Sequence, residues 1–220
     1  MNLLTSLAST KTFVQPKAAL DGQKEKHRIG IFGGTFNPIH NGQLIAAEQV
    51  CNQLGLDKIY FMPDAILFGG THKNAVEPSA RAEMIRLAIR GNSKFGIELT
   101  PIHDGGQQST YNVLKKISSK HPENEYYLIL GAHLIRQISS WDNVSALNKL
   151  VHLVAIEEPG VRRVSDFEAI WTYVNWLNIS SSDIRSHLRT RQSVRYLIPD
   201  AVAAYIADIA EYGLYQGRFS

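Results

Sequence analysis

From Arg28 to Leu44 the chain reads Arg-Ile-Gly-Ile-Phe-Gly-Gly-Thr-Phe-Asn-Pro-Ile-His-Asn-Gly-Gln-Leu, and few folds can accommodate such a run. Arg28 to Phe32 form a short, largely apolar and β-prone segment, and Gly33-Gly34 can turn sharply after it because neither residue has a Cβ. From Gly42 to Val50 apolar residues recur at helical spacing. The predicted order is a buried strand, a glycine loop and a helix. A helix N-terminus presents unpaired N–H groups and the positive end of a dipole, which suits a phosphate. The loop is neither G-x-G-x-x-G nor a Gly-Lys-Ser/Thr phosphate loop.

The same alternation continues downstream. Strands are expected at Leu56 to Pro63, Phe95 to Leu99, Tyr126 to Leu130, Val151 to Ile156 and Val174 to Leu177. Helices are expected from Ser79, capped there, through Ala88, from Ser109 or Thr110 through Ile117, and from Ala132 through Trp141. Further helices are expected at Asp166 to Tyr173, Ser181 to Thr190 and Pro199 to Tyr212. Strands and helices alternating in this way predict an α/β domain, a parallel sheet covered on both faces, with ligands beyond the carboxyl ends of the strands.

The chain has 220 residues, 44% of them hydrophobic, enough for one such domain with a substantial core. A net charge of +3 is mild, and no Lys/Arg cluster is dense enough to argue for nucleic acid. No apolar run approaches the roughly 20 residues of a membrane span. The single cysteine, Cys51, excludes an intramolecular disulfide and fits a reducing cytoplasmic compartment. The first 20 residues contain no Asp or Glu, and no arginine precedes Arg28, so 1–27 is expected to be a flexible extension of a domain at 28–220.

A second distinctive stretch is Ile179-Ser180-Ser181-Ser182-Asp183-Ile184-Arg185. Three hydroxyls at a helix start and an arginine in its first turns can together bind an anion. Taken alone, the stretch reads first as a serine-rich cap beside a surface arginine.

Together the two stretches resemble the paired signatures of the nucleotidyltransferase superfamily, His-x-Gly-His and Ile-Ser-Ser-Thr-x-Ile-Arg, and within it the nicotinate mononucleotide adenylyltransferases. The resemblance runs from about Arg28 to about Tyr215 and includes Thr71-His72-Lys73, Thr110, Trp141 and Ser193 to Pro199. It implies a Rossmann-like doubly wound parallel sheet and the transfer of AMP from ATP to nicotinate or nicotinamide mononucleotide, with release of pyrophosphate, in NAD biosynthesis. It also implies that His40, Gln43 and Arg185 are catalytic. Gly33, Gly34, Thr35, Phe36, Lys73, Ser180, Ser181, Ser182 and Arg185 would bind ATP and its phosphates. His72, Thr110, His133 and Trp141 would bind the mononucleotide, with an ordinary half-buried surface tryptophan as the alternative reading of Trp141. Mg²⁺ would be carried by the ATP phosphates, with no protein-ligated metal, since His40, His72, His103 and His133 lack ligand spacing. A homo-oligomer is compatible with all of this.

The sequence departs from the family pattern at several points. Gln43 stands where the second histidine belongs, and losing a preorganised donor to developing charge costs about 2.7 to 4 kcal/mol in comparable cases. His133 replaces an aspartate, Asn112 stands where an aspartate is frequent, and Asp142 adds negative charge beside Trp141. Two rival readings follow: a nucleotide-binding homologue with impaired catalysis and a regulatory role, and nucleotidyl transfer to a different phosphate acceptor.

Overall fold

The computed structural model describes residues 26–64, 76–105, 108–175 and 177–211. The expected extension at 1–27, apart from Lys26 and His27, lies outside them, as do Thr71, His72 and Lys73. The central strand β1 (His27–Gly34) leads into helix α1 (Asn41–Leu54), then β2 (Lys58–Pro63), α2 (Pro78–Ala88), β3 (Phe95–Ile97) and the single turn α3 (Thr100–His103). There follow α4 (Thr110–Lys120), β4 (Asn124–Gly131), the short α5 (Ala132–Ile135), a 3-10 turn at Ile138–Ser140 and α6 (Val144–Leu150). The last elements are β5 (His152–Ile156), β6 (Ala169–Thr172), α7 (Ser181–Arg189) and α8 (Asp200–Glu211).

The six strands form one sheet in the order β3-β2-β1-β4-β5-β6, and every pairing is parallel. Successive residues of a strand face opposite sides, so the near-continuous apolar runs divide between two cores. In β4, Tyr127 and Ile129 pack on the α1, α2 and α8 side, while Tyr126, Leu128 and Leu130 pack on the α4 and α6 side. β5 divides in the same way, Val154 and Ile156 against Leu153 and Ala155. The chain leaves β1 toward β2 and β3, then returns to β4 on the other side of β1. Strand direction of travel thus reverses between β1 and β4, and a crevice opens there at the carboxyl ends.

Four local expectations are corrected. Asp166 to Tyr173 was expected to be a helix, but Ala169–Thr172 is the edge strand β6, with Leu153 opposite Ala169 and Ile156 opposite Thr172. The spacing of Phe167, Ile170 and Trp171 suits a helix, but aromatic and β-branched residues beside an open sheet edge gain more from pairing. Val174 and Asn175, expected in a strand, lie outside any strand. The helix expected from Ala132 through Trp141 breaks into α5 and the 3-10 turn, and α6 was not foreseen. At α2 the cap is Glu77 with Pro78 following, rather than Ser79.

Candidate active site

The crevice is shaped first by the loop after β1. Phe36 sits in the left-handed region at φ 50° and is 1% exposed, a conformation that a bulky residue adopts only when its surroundings enforce it. Its ring packs edge-on against Phe32 at 5.8 Å and Phe61 at 5.6 Å, which anchors the loop to β1 and β2. A Cβ on Gly34 would lie 3.1 Å from the Phe36 ring, so this position has little room for a side chain.

The loop ends at a reciprocal cap. His40 Nδ1 accepts from the Gln43 backbone N–H at 3.3 Å, and Gln43 Oε1 accepts from the His40 backbone N–H at 3.2 Å. Two consequences follow. Because Nδ1 is an acceptor, the neutral ring carries its proton on Nε2 as a donor. Burial favours that neutral form and lowers the His40 pKa from 6.5 to about 4. At Gln43 the carbonyl end is committed to the cap, leaving the NH₂ end as the donor.

Helix α7 closes one side of the crevice. Ser180 is its N-cap, accepting from the Asp183 N–H at 3.0 Å. Ser181 Oγ donates to the Pro38 carbonyl at 2.8 Å, and Arg185 Nη1 donates to the Asn37 carbonyl at 2.9 Å. Side chains more than 140 residues distant in sequence thus tie the α7 N-terminus to the β1–α1 loop. Two helix N-termini, those of α1 and α7, bound one cavity of about 450 Å³.

On the far wall, Glu158 Oε1 and His133 Nδ1 are 2.7 Å apart, and the Glu158 side chain is 13% exposed. The bond to Glu158 raises the His133 pKa against the opposing effect of burial. Beneath the loop, Arg81 is 1% exposed and uses its whole guanidinium. It donates to the Thr35 carbonyl at 2.8 Å, Asp64 Oδ1 at 3.0 Å, the Asp64 carbonyl at 2.7 Å and the Val76 carbonyl at 3.3 Å. Thr35 Oγ1 in turn donates to Asp64 Oδ2 at 3.2 Å.

The cavity is lined by Gly33, Gly34, Thr35, Phe36, His40, Gln43, Ser180, Ser181 and His133, all singled out from the sequence. Ser182, Arg185, Thr110 and Trp141 do not line it. Ser182 is exposed, Thr110 opens α4 behind the cap Ser109, and Trp141 packs, partly buried, on the α4–α6 core. Glu158, Arg81 and Asp64 were missed. Glu158 had a signal, since Glu157-Glu158-Pro159-Gly160 directly follows a buried strand, where the carboxyl-end rule points. Arg81 had none, because in sequence it resembles any charged helix residue.

The cytidylyltransferase-like family matches residues 31–187. A probable nicotinate-nucleotide adenylyltransferase of Lactiplantibacillus plantarum is 42% identical over 189 residues, covering 86% of this chain and 88% of the relative. The chain belongs to the nicotinate-nucleotide adenylyltransferase family. Within that family, the Bacillus subtilis nicotinate-nucleotide adenylyltransferase is 33% identical over 86% of this chain and 98% of its own. The fold is shared with the Plasmodium falciparum nicotinic acid mononucleotide adenylyltransferase complexed with APC, at a TM-score of 0.68 and 24% identity. That match covers 89% of this chain and 100% of that one.

Proposed function

We propose that the cavity binds ATP and that the protein transfers AMP from it to nicotinate mononucleotide. The observation that carries this reading is the pairing of the α1 and α7 N-termini across one nucleotide-sized cavity, with His40 and Gln43 on one and Ser180 and Ser181 on the other. A 5′-phosphate oxygen of the mononucleotide attacks the α-phosphorus of ATP in line. The new P–O bond forms as the bond to the β-phosphate oxygen breaks, and pyrophosphate leaves. No protein nucleophile is needed, so the protein acts by positioning and by stabilising charge. In this reading His40 Nε2–H and the Gln43 NH₂ donate to the α-phosphate, while Ser181, Lys73 and Arg185 serve the departing phosphates. Thr110, His72 and Trp141 serve the acceptor in this reading; of these, Thr110 and Trp141 lie outside the cavity that takes ATP.

Among the described residues Glu158 is the one carboxylate lining the cavity, and it is already paired with His133, so this donor set does not make a metal cage. Mg²⁺ fits as an ion held by phosphate oxygens and water, where it would neutralise charge on the phosphates. Among the described residues no helix is long and apolar enough to cross a membrane.

Incubating the protein with ATP, Mg²⁺ and nicotinate mononucleotide tests the reading. We expect the dinucleotide and pyrophosphate in equal amounts, formed slowly, and faster in Gln43→His. ATP binding with no product from either nicotinate or nicotinamide mononucleotide would instead favour the catalytically impaired homologue. Calorimetry with the two mononucleotides assigns the acid or amide preference, on which Asp142 bears.

A further inference from the structure

We propose that Glu158 makes this cavity selective for ribonucleotides, its carboxylate accepting from the ribose hydroxyls of ATP while His133 holds it in position. The inference rests on the cavity being the ATP site, as proposed above, and adds a specificity residue that neither signature stretch contains. A carboxylate is out of place in a cavity built for anions. Repulsion excludes it from the phosphates, so it must face the part of the nucleotide that carries donors.

Its location agrees. The glycine loop ends β1, Gly131 ends β4, and Glu158 lies two residues past β5, so it stands two strand spacings, about 10 Å, from the phosphate end. That is within a nucleoside's length. Glu158 is also built in rather than left loose. Its Oε1 is bonded to His133, and a Cβ on Gly131 would lie only 2.2 Å from that oxygen. The carboxylate therefore rests directly on the backbone where β4 ends, in space that exists because residue 131 is glycine. Among the described residues Oε2 has no hydrogen-bond partner, so it remains an acceptor at the cavity wall. A ribose hydroxyl is a neutral donor that Oε2, held in this way, can accept from without meeting the phosphates. His133, 58% exposed, acts through Glu158 as a positioning residue.

Calorimetry on the full chain with Mg²⁺ and no mononucleotide reads binding without turnover. The titrants are ATP, 2′-deoxy-ATP, 3′-deoxy-ATP and inosine triphosphate. The wild type should prefer ATP over the deoxy forms by between about tenfold and a hundredfold, as expected for hydrogen bonds to a charged acceptor. Glu158→Gln should abolish most of that preference by lowering ATP affinity more than the affinity for either deoxy form. His133→Ala should reduce the preference, and His133→Asn, which restores a donor to Oε1, should recover much of it. The His133 pair also covers the case in which Glu158→Gln does not fold. An unchanged ATP to deoxy-ATP ratio in Glu158→Gln overturns the inference. So does a change confined to the ATP to inosine triphosphate ratio, which would assign Glu158 to the base, or one confined to Mg²⁺ dependence, which would assign it to the metal. A wild type that binds no nucleotide overturns the ATP-site reading itself, a distinguishable result.

Discussion

His40 carries two roles in one ring, helix cap and cavity donor, and the cap requires it neutral, because Nδ1 must accept. With its pKa lowered from 6.5 to about 4, the folded chain refuses a proton that the unfolded chain accepts below pH 6.5. The sign is that of a depressed group: the stability tied to the neutral ring is fully present above about pH 6.5 and is lost as pH falls toward 4. Across that span the difference amounts to about 3 kcal/mol. His133 has the opposite sign, its raised pKa giving stability at low pH that fades as pH rises through the folded value. Only a comparison of variants separates the two. Asparagine caps helices well, so His40→Asn should keep α1 capped yet flatten the loss of stability between pH 6.5 and 4, measured by urea unfolding. An unchanged slope would show that His40 is not the group refusing the proton.

The elements around the crevice depend on a few buried polar links. Arg81 on α2 joins the β1 loop through Thr35 and the end of β2 through Asp64. Removing one partner of a buried pair leaves the other charge uncompensated, which costs about 3 to 5 kcal/mol. Arg81→Met should therefore destabilise the protein by that amount in denaturant unfolding. Adding Asp64→Leu should recover a large part of it, because the stranded carboxylate is then gone. If the double variant is as unstable as the single, the four backbone and side-chain bonds of Arg81 matter more than its charge. α1 and α7 were readable from Gly42 and Ser181 onward because their caps and apolar spacing are local signals. β6 was not readable, because its strand state comes from pairing with β5, which no window around Ile170 reveals.

At the scale of the molecule, the sheet is organised around β1, which pairs with both β2 and β4. Gly30 lies at its centre, and a Cβ there would approach Ile129, Ile59 and Leu56 side chains at 2.9 Å each. Gly30→Ala should cost about 1 to 3 kcal/mol by overpacking, seen as a lower midpoint in thermal unfolding, even though alanine is otherwise favoured over glycine. An unchanged midpoint would mean that the sheet yields more easily than these contacts imply. The architecture was legible because alternating strand and helix signals define a parallel sheet, and the crevice followed from the carboxyl-end rule. The site was legible only where a role belongs to a contiguous motif. Ser181 and Pro38 meet across 143 residues, and Glu158 enters the cavity from a loop whose sequence carries no phosphate-binding pattern.

In the proposed reaction Gln43 replaces a histidine as a donor to the transferred phosphate, with its carbonyl fixed by the cap and its NH₂ left to the substrate. Gln43→Glu separates the two halves of that claim, since glutamate at this position completes a capping box but offers no NH₂ donor. Initial rates of pyrophosphate release from ATP and nicotinate mononucleotide should fall about 10²-fold in both Gln43→Glu and Gln43→Ala, with Gln43→Glu as stable as the wild type. Equal rates in the wild type and Gln43→Ala would contradict the account.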